Sequence, residues 1–403
     1  MKRLLFVDDE SKVLTGLQRL LRPMRHQCEM QFVTSGEAAL TTLAQAPFHI
    51  VVSDMRMPGM DGATLLKEVQ RRYPHIVRIV LSGHSDQTMI HHSRGVTHQY
   101  LTKPCEADVL KATMMRTCNL CESLAQDSLR NLVAGMSSVP SHPARYSQVT
   151  REIESKNSSL LAIATIISQD MGMTAKVLQL ANSSNSELYA TVSTAEQAVN
   201  LLGFDAIQSL VLSGDVFSPL ASTDSVRRNI EALWEESLVT GALAQAIAQA
   251  EQASPATIDQ ARTAGVLHDI GALVLAVHAT ERCDAARRIE RDEGIPRWEA
   301  ETQEFGNTHA EVGAYLLALW GINDSIVEAV AFHHTPAEHP GEAFCPLTAV
   351  HVADNLQKEL RSIERGGPCS QLDIEYLNRL GLGSRLPMWR ELAVDLQKEQ
   401  AHE

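Results

Sequence analysis

The sequence predicts an α/β domain built on a parallel sheet, followed by an all-α region. Two patterns carry this reading. Over roughly the first hundred residues, short apolar runs recur, each ending in a charged or hydroxyl side chain and then a turn. Beyond about residue 140, strand alternation disappears and helical stretches with short polar connections continue to the end.

The strand readings follow in chain order. Leu4-Leu5-Phe6-Val7 ends in Asp8-Asp9-Glu10, and Ile50-Val51-Val52-Ser53 ends in Asp54 before a break at Pro58-Gly59. Ile79-Val80-Leu81 ends in Ser82-Gly83, and Tyr100-Leu101-Thr102 ends in Lys103-Pro104. Open α/β sheets collect their chemistry at the carboxyl edge, so parallel strands bring Asp8, Asp9 and Asp54 beside one hydroxyl and one ammonium. Two carboxylates about 4 Å apart repel by roughly 4 kcal/mol at an effective dielectric near 20, so the cluster requires a cation. An acidic site made only of oxygens suits magnesium.

In order and spacing, these motifs resemble the receiver domain of two-component response regulators over residues 1–118. The resemblance implies a flavodoxin-like, doubly wound, five-stranded parallel sheet. It implies that Asp54 accepts a phosphoryl group from a phosphohistidine on a histidine kinase or phosphotransfer protein. It further implies that Asp9, Asp54 and the backbone carbonyl of Arg56 hold Mg2+, with Asp8 acting through water. Ser82 and Lys103 are then the phosphoryl-binding residues, Tyr100 is the ring that turns inward as Ser82 moves, and Pro104 completes the switch set. Phosphoryl transfer needs mainly positioning and charge neutralisation, which a metal and one lysine supply.

Length and charge limit the remainder. At 403 residues the chain exceeds one ordinary core, and its 44% hydrophobic content suffices for more than one. A formal net charge of −14 argues against a general nucleic-acid-binding surface, and no helix-turn-helix or zinc-finger pattern is present, so no direct DNA binding is expected. The apolar run after Met1-Lys2-Arg3 stops at Asp8, and other apolar runs fall short of a membrane span, so a cytoplasmic protein without a membrane partner is expected. The seven cysteines are scattered, which fits reduced thiols; Cys118 and Cys121 form one Cys-x-x-Cys inside an expected helix.

The stretch from Ala107 to Val133 reads as a single helix leaving the first domain. Leu110, Met114, Thr117, Cys121 and Leu124 form a seam suited to a partner helix, from which homodimerisation is an expectation. Gly135, Pro140 and Pro143 mark a boundary, giving a helical linker at 119–140, an all-α domain at 141–355 and a helical tail at 356–403. Within the helical part, Ser193-Thr194-Ala195-Glu196 reads as a capping box and Gly203 as a helix stop.

The polar residues of this half form a pattern of their own. His268-Asp269 sits in an apolar context, followed by His309, the adjacent pair His333-His334, and Asp354. Imidazoles and carboxylates on several helices are a sound way to hold divalent metal. Together with the runs from Asp170 to Asn182, Ser193 to Gly203 and Gly306 to Gly313, they resemble the HDOD domain, a relative of the HD phosphohydrolases. The resemblance implies an HD-type metal site of His268, Asp269, His309, His333, His334 and Asp354, with Glu236 standing where the first histidine of that superfamily falls. Thr335-Pro336 follows His334, so the Gly-Tyr-Pro signature of cyclic-di-GMP hydrolysis is missing. Two functions follow from the resemblance. One is a phosphorylation-switched adaptor whose helical output acts on an unidentified downstream protein. The alternative is a phosphorylation-gated, metal-dependent phosphohydrolase acting on a nucleotide or cyclic dinucleotide.

Overall fold

Five strands form one parallel sheet in the order β2-β1-β3-β4-β5. They are β1 (Lys2–Val7), β2 (Cys28–Val33), β3 (Ile50–Asp54), β4 (Val77–Ser82) and β5 (Gln99–Thr102). The computed structural model describes residues 1–83, 96–103, 105–120, 124–184, 192–212, 224–365 and 371–400. The chain divides into two units, the first built on Met1–Ser138 and the second on Val139–Ala181, Thr191–Leu317 and Ile322–Glu403.

In the first unit, β1 and β3 are central and almost wholly buried, which explains their uninterrupted apolar sequences. Strand β2 lies at the sheet edge and keeps most of its residues half-buried or exposed, so Cys-Glu-Met-Gln-Phe-Val carries little apolar signal. Helices α1 (Ser11–Leu20), α2 (Gly36–Gln45), α3 (Gly62–Arg72) and α4 (Ala107–Leu120) accompany the sheet. The Asp61 side chain caps α3 by accepting from the Thr64 N–H at 2.7 Å. Gly62 opens that helix against the end of β3: a Cβ there would stand 2.1 Å from the Asp54 carbonyl oxygen.

The expected single helix from Ala107 to Val133 is two helices, α4 and α5 (Asp127–Gly135), with Leu124 to Gln126 non-helical between them. Tertiary bonds override the continuous periodicity. Arg78, fully buried on β4, donates through Nη2 to the Ala134 carbonyl at 2.7 Å, and the His98 Nε2 donates to the same oxygen at 2.8 Å. Gln70 adds a bond to the Gly135 carbonyl. Cys118 faces Cys28 with the sulfurs 3.4 Å apart; Cys121 lies outside the described residues.

The second unit is helical: α6 (Pro143–Glu154), α7 (Leu160–Ile167), α8 (Met171–Ser184), α9 (Ala195–Leu202), α10 (Phe204–Leu212), α11 (Asp224–Ala250), α12 (Pro255–Leu267), α13 (Ile270–His278), α14 (Thr280–Glu293), α15 (Arg297–Phe305), α16 (His309–Leu319), α17 (Asp324–Phe332), α18 (Pro346–Arg365), α19 (Ile374–Arg379) and α20 (Leu386–Gln400). The cap of α9 falls one residue later than the sequence suggests: Thr194 accepts from the Gln197 N–H, while Gln197 reaches back to the Ser193 N–H. Gly203 ends α9 at φ 77°, as a stop residue should. Asp170 caps α8 from inside the core, accepting from the backbone of His142 and Met173, and burial pushes its carboxyl up to about 6.

The carboxy-terminal helices are part of the second unit's packing. Tyr376 bonds Thr348 through its hydroxyl at 2.7 Å, and the fully buried Trp389 donates its indole N–H to Glu251 at 3.0 Å. Among the described residues, no single helix is long and apolar enough to cross a membrane.

Two glycine crossings set the centre of this unit. A Cβ on Gly265 of α12 would meet the Gly241 Cα of α11 at 2.7 Å, and one on Gly271 of α13 would meet the His309 carbonyl oxygen of α16 at 2.0 Å. Both obstacles are backbone, which side-chain rearrangement cannot relieve. We expect Gly271→Ala to cost about 3 kcal/mol or more, by analogy with overpacked cores, and to shift the urea midpoint accordingly. A midpoint equal to wild type would contradict the close crossing.

Candidate functional site

The first polar cluster lies at the carboxyl edge of the sheet. Parallel register places Asp8 just beyond β1 and Asp54 at the end of β3, and Lys103 follows β5. The Lys103 ammonium bonds Asp8 Oδ2 at 2.6 Å and also bonds Asp54 Oδ1. The other Asp54 oxygen accepts from the Arg56 N–H at 2.6 Å, and Asp8 Oδ1 accepts from the Glu10 N–H at 2.9 Å. Burial raises the Asp54 pKa, since only 8% of the residue is exposed, and Lys103 offsets this in part. Burial pulls Lys103 down, yet Asp54 and Asp8 outweigh it and its pKa is raised.

Asp9 is exposed on the next residue, so the edge carries three carboxylates, of which Lys103 is bonded to two. That uncompensated charge and all-oxygen donor set fit a divalent cation such as magnesium. Tyr100 is buried and packs into the apolar core of this unit. Ser82 ends β4 opposite Thr102. Its side chain, Pro104 and the segment after Ser85 lie outside what the structure describes.

The second cluster lies in the helical unit. The α12–α13 break holds His268 and Asp269, His309 begins α16, His333 and His334 follow α17, and Asp354 projects from α18. Asp269 Oδ1 lies 3.1 Å from His309 Nε2 and 3.9 Å from His333 Nε2, while its Oδ2 lies 3.4 Å from His268 Nε2. Asp354 Oδ1 is 3.7 Å from His268 Nε2, and the Nε2 atoms of His309 and His334 are 3.0 Å apart. All six sequence-predicted residues therefore converge.

Backbone bonds aim the rings. His268 donates through Nδ1 to the Gly265 carbonyl and His333 through Nδ1 to the Val330 carbonyl, each at 2.8 Å, which turns both Nε2 atoms inward. The His333 Nε2 is fully buried and has no hydrogen-bond partner. An orphaned inward lone pair is what a metal ligand requires. Two overlapping groups have the geometry to seat an ion: His309, His333 and His334, and His268, Asp269 and His333. Burial, with His268 and His309 nearby, pushes His333 down to about 3, consistent with a neutral ligand.

Glu236, which stands where the first histidine of the HD superfamily falls, lines the adjoining cavity and is ion-paired with Arg361. Several site residues had no sequence signal. Glu301 on α15 accepts from His309 twice, from Nδ1 at 2.5 Å and from the backbone N–H at 2.9 Å, and its other oxygen accepts from Arg297 at 3.0 Å. Lys358 bonds Asp354 Oδ2 at 2.6 Å one helical turn away, an i,i+4 pairing legible in principle. His351 is structural: Nδ1 donates to the His333 carbonyl and Nε2 accepts from the Asp373 N–H. A cavity of about 530 Å3 opens beside the cluster, bordered by Asp269, His309, His334, Arg297, Trp298 and Lys358.

The Glu301–His309 pair carries a pH signature. Burial opposes charge on both, but the neighbours outweigh it: Glu301 and Asp269 raise His309 from 6.5 to about 10, and His309 with Arg297 lowers Glu301 from 4.5 to about 2. The raised histidine stabilises the fold below its unfolded pKa of 6.5 and loses this as pH rises toward 10. The depressed glutamate stabilises above 4.5 and loses this as pH falls toward 2. In chelator, wild type should therefore gain most from the pair between pH 4.5 and 6.5, and Glu301→Gln should flatten the acid limb of a urea-midpoint profile and weaken the alkaline limb, where Asp269 still supports His309. An unchanged profile would refute the pairing.

Comparison with known proteins agrees with both halves. Residues 4–115 match the response regulator receiver domain, and residues 139–336 match the HDOD domain. An uncharacterized protein of Treponema pallidum is 27% identical over 240 residues, 60% of this chain and 45% of that protein. The hydrogenase transcriptional regulatory protein HoxA of Cupriavidus necator is 38% identical over 114 residues, 27% of this chain and 23% of its own. The chain thus spans less than half the length of either relative. The signal receiver domain of an HD domain-containing protein from Pseudomonas fluorescens is 30% identical, covering 30% of this chain and 90% of that one, with a TM-score of 0.29. The chain belongs to the response regulators that join an amino-terminal receiver domain to a carboxy-terminal HDOD domain.

Proposed function

We propose that this response regulator accepts a phosphoryl group on Asp54 from a histidine kinase or phosphotransfer protein and thereby switches its HDOD output. The observation that carries the reading is the convergence of Asp8, Asp54 and Lys103 at one sheet edge. An Asp54 carboxylate oxygen attacks phosphorus, a P–O bond forms, and the P–N bond to the donor imidazole breaks. Magnesium, held by Asp8, Asp9, Asp54 and the Arg56 carbonyl, would neutralise charge on the phosphoryl oxygens. Lys103 binds one of those oxygens, which requires it to give up its bond to Asp54. Ser82, Tyr100 and Pro104 are assigned to the accompanying switch.

The HDOD domain acts in this reading as an adaptor for a downstream protein in the cytoplasm. Support comes from its ion pairs: Glu236 is held by Arg361 and Asp354 by Lys358, so two carboxylates of the HD set are already compensated. The unpartnered His333 nitrogen beside an open cavity favours a second reading, a metal-dependent phosphohydrolase gated by phosphorylation. Purified protein screened with divalent ions against phosphodiesters, cyclic dinucleotides included, separates the two.

With magnesium and acetyl phosphate, wild type should gain one acid- and base-labile phosphoryl group per chain. Asp54→Asn should fall to background, whereas Lys103→Ala should still bind magnesium but lose any conformational response, read by hydrogen exchange. Labelling of Asp54→Asn at the wild-type level would end the assignment.

A further inference from the structure

The geometry points to a single metal seat in the HDOD domain, with Lys358 and Arg361 standing in place of a second ion. This rests on reading the imidazole cluster as a metal centre. Both groups able to seat an ion draw on the same atom, His333 Nε2, and that atom has one lone pair. Two ions cannot share it, so one of the seats must do without it.

The surroundings decide which seat survives. The seat of His309, His333 and His334 is made of imidazoles alone, opens onto the cavity and lies beside the Asp269 carboxylate. Glu301 fixes its His309 ring through Nδ1, so that Nε2 faces the seat. Three imidazoles and one carboxylate suit a first-row transition ion such as zinc or manganese more than magnesium.

The other side carries His268 and Asp354, with Glu236 beyond. There the counter-charges are side chains of α18. Lys358 sits on Asp354 at 2.6 Å, and Arg361 on Glu236. A second dication beside His268 and Asp269 would meet an ammonium on Asp354 and a guanidinium on Glu236, and would have to displace them to use either carboxylate. These two cations, three positions apart on one helix, thus set the metal count of the site.

Metal per chain, measured by mass spectrometry after zinc or manganese loading and dialysis of the full chain, tests this. Wild type and Lys358→Arg should hold one ion, and His309→Ala well under one. Lys358→Gln combined with Arg361→Gln should rise to two, with circular dichroism melting to confirm that each variant is folded. Two ions in wild type, or a folded double variant still at one, would overturn the inference while leaving the metal centre standing. No ion in any variant would overturn both.

Discussion

The helical half of this protein depends on two places where backbones touch. Gly265 against Gly241 and Gly271 against the His309 carbonyl bring α11, α12, α13 and α16 closer than side chains permit. His268 and Asp269 lie between those glycines. The crossings therefore do more than pack a core, because they fix a half-buried carboxylate at the edge of the cavity, where the imidazoles around it balance its charge. The inward imidazoles, the Glu301 brace and the basic face of α18 are consequences of that enclosure.

The two domains meet the same electrostatic problem with different materials. At the receiver sheet edge, one ammonium serves both Asp8 and Asp54 and leaves negative charge uncompensated. In the HDOD domain each outer carboxylate has its own partner, in the pairs Asp354–Lys358, Glu236–Arg361 and Glu301–Arg297. An under-compensated site is poised to change state. A compensated one is suited to hold a shape.

The receiver edge was legible because strand end and charge coincide: an apolar run that stops at Asp8 or Asp54 announces both the element and the carboxylate. The six HD-type residues were legible as residue types, through His268-Asp269 and His333-His334. Their supports were not. Glu301 and Arg361 look like ordinary surface charges on amphipathic helices, and only tertiary contact brings them to His309 and Glu236. Strand β2 escaped notice because an edge position leaves it polar. The Ala107 to Val133 periodicity misled because Arg78, far back in sequence, captures the end of α5.

That capture bears on where the receiver ends as a physical object. Arg78 is wholly enclosed, and its guanidinium divides its donors among the carbonyls of Pro74, Ile76, Val96 and Ala134, while its backbone N–H donates to His98 Nδ1 at 2.9 Å. A receiver severed after α4 would retain every residue of the acidic edge yet leave a buried guanidinium and the His98 ring short of the acceptor they share. The compact unit accordingly runs through α5, past the last residue of the acidic edge.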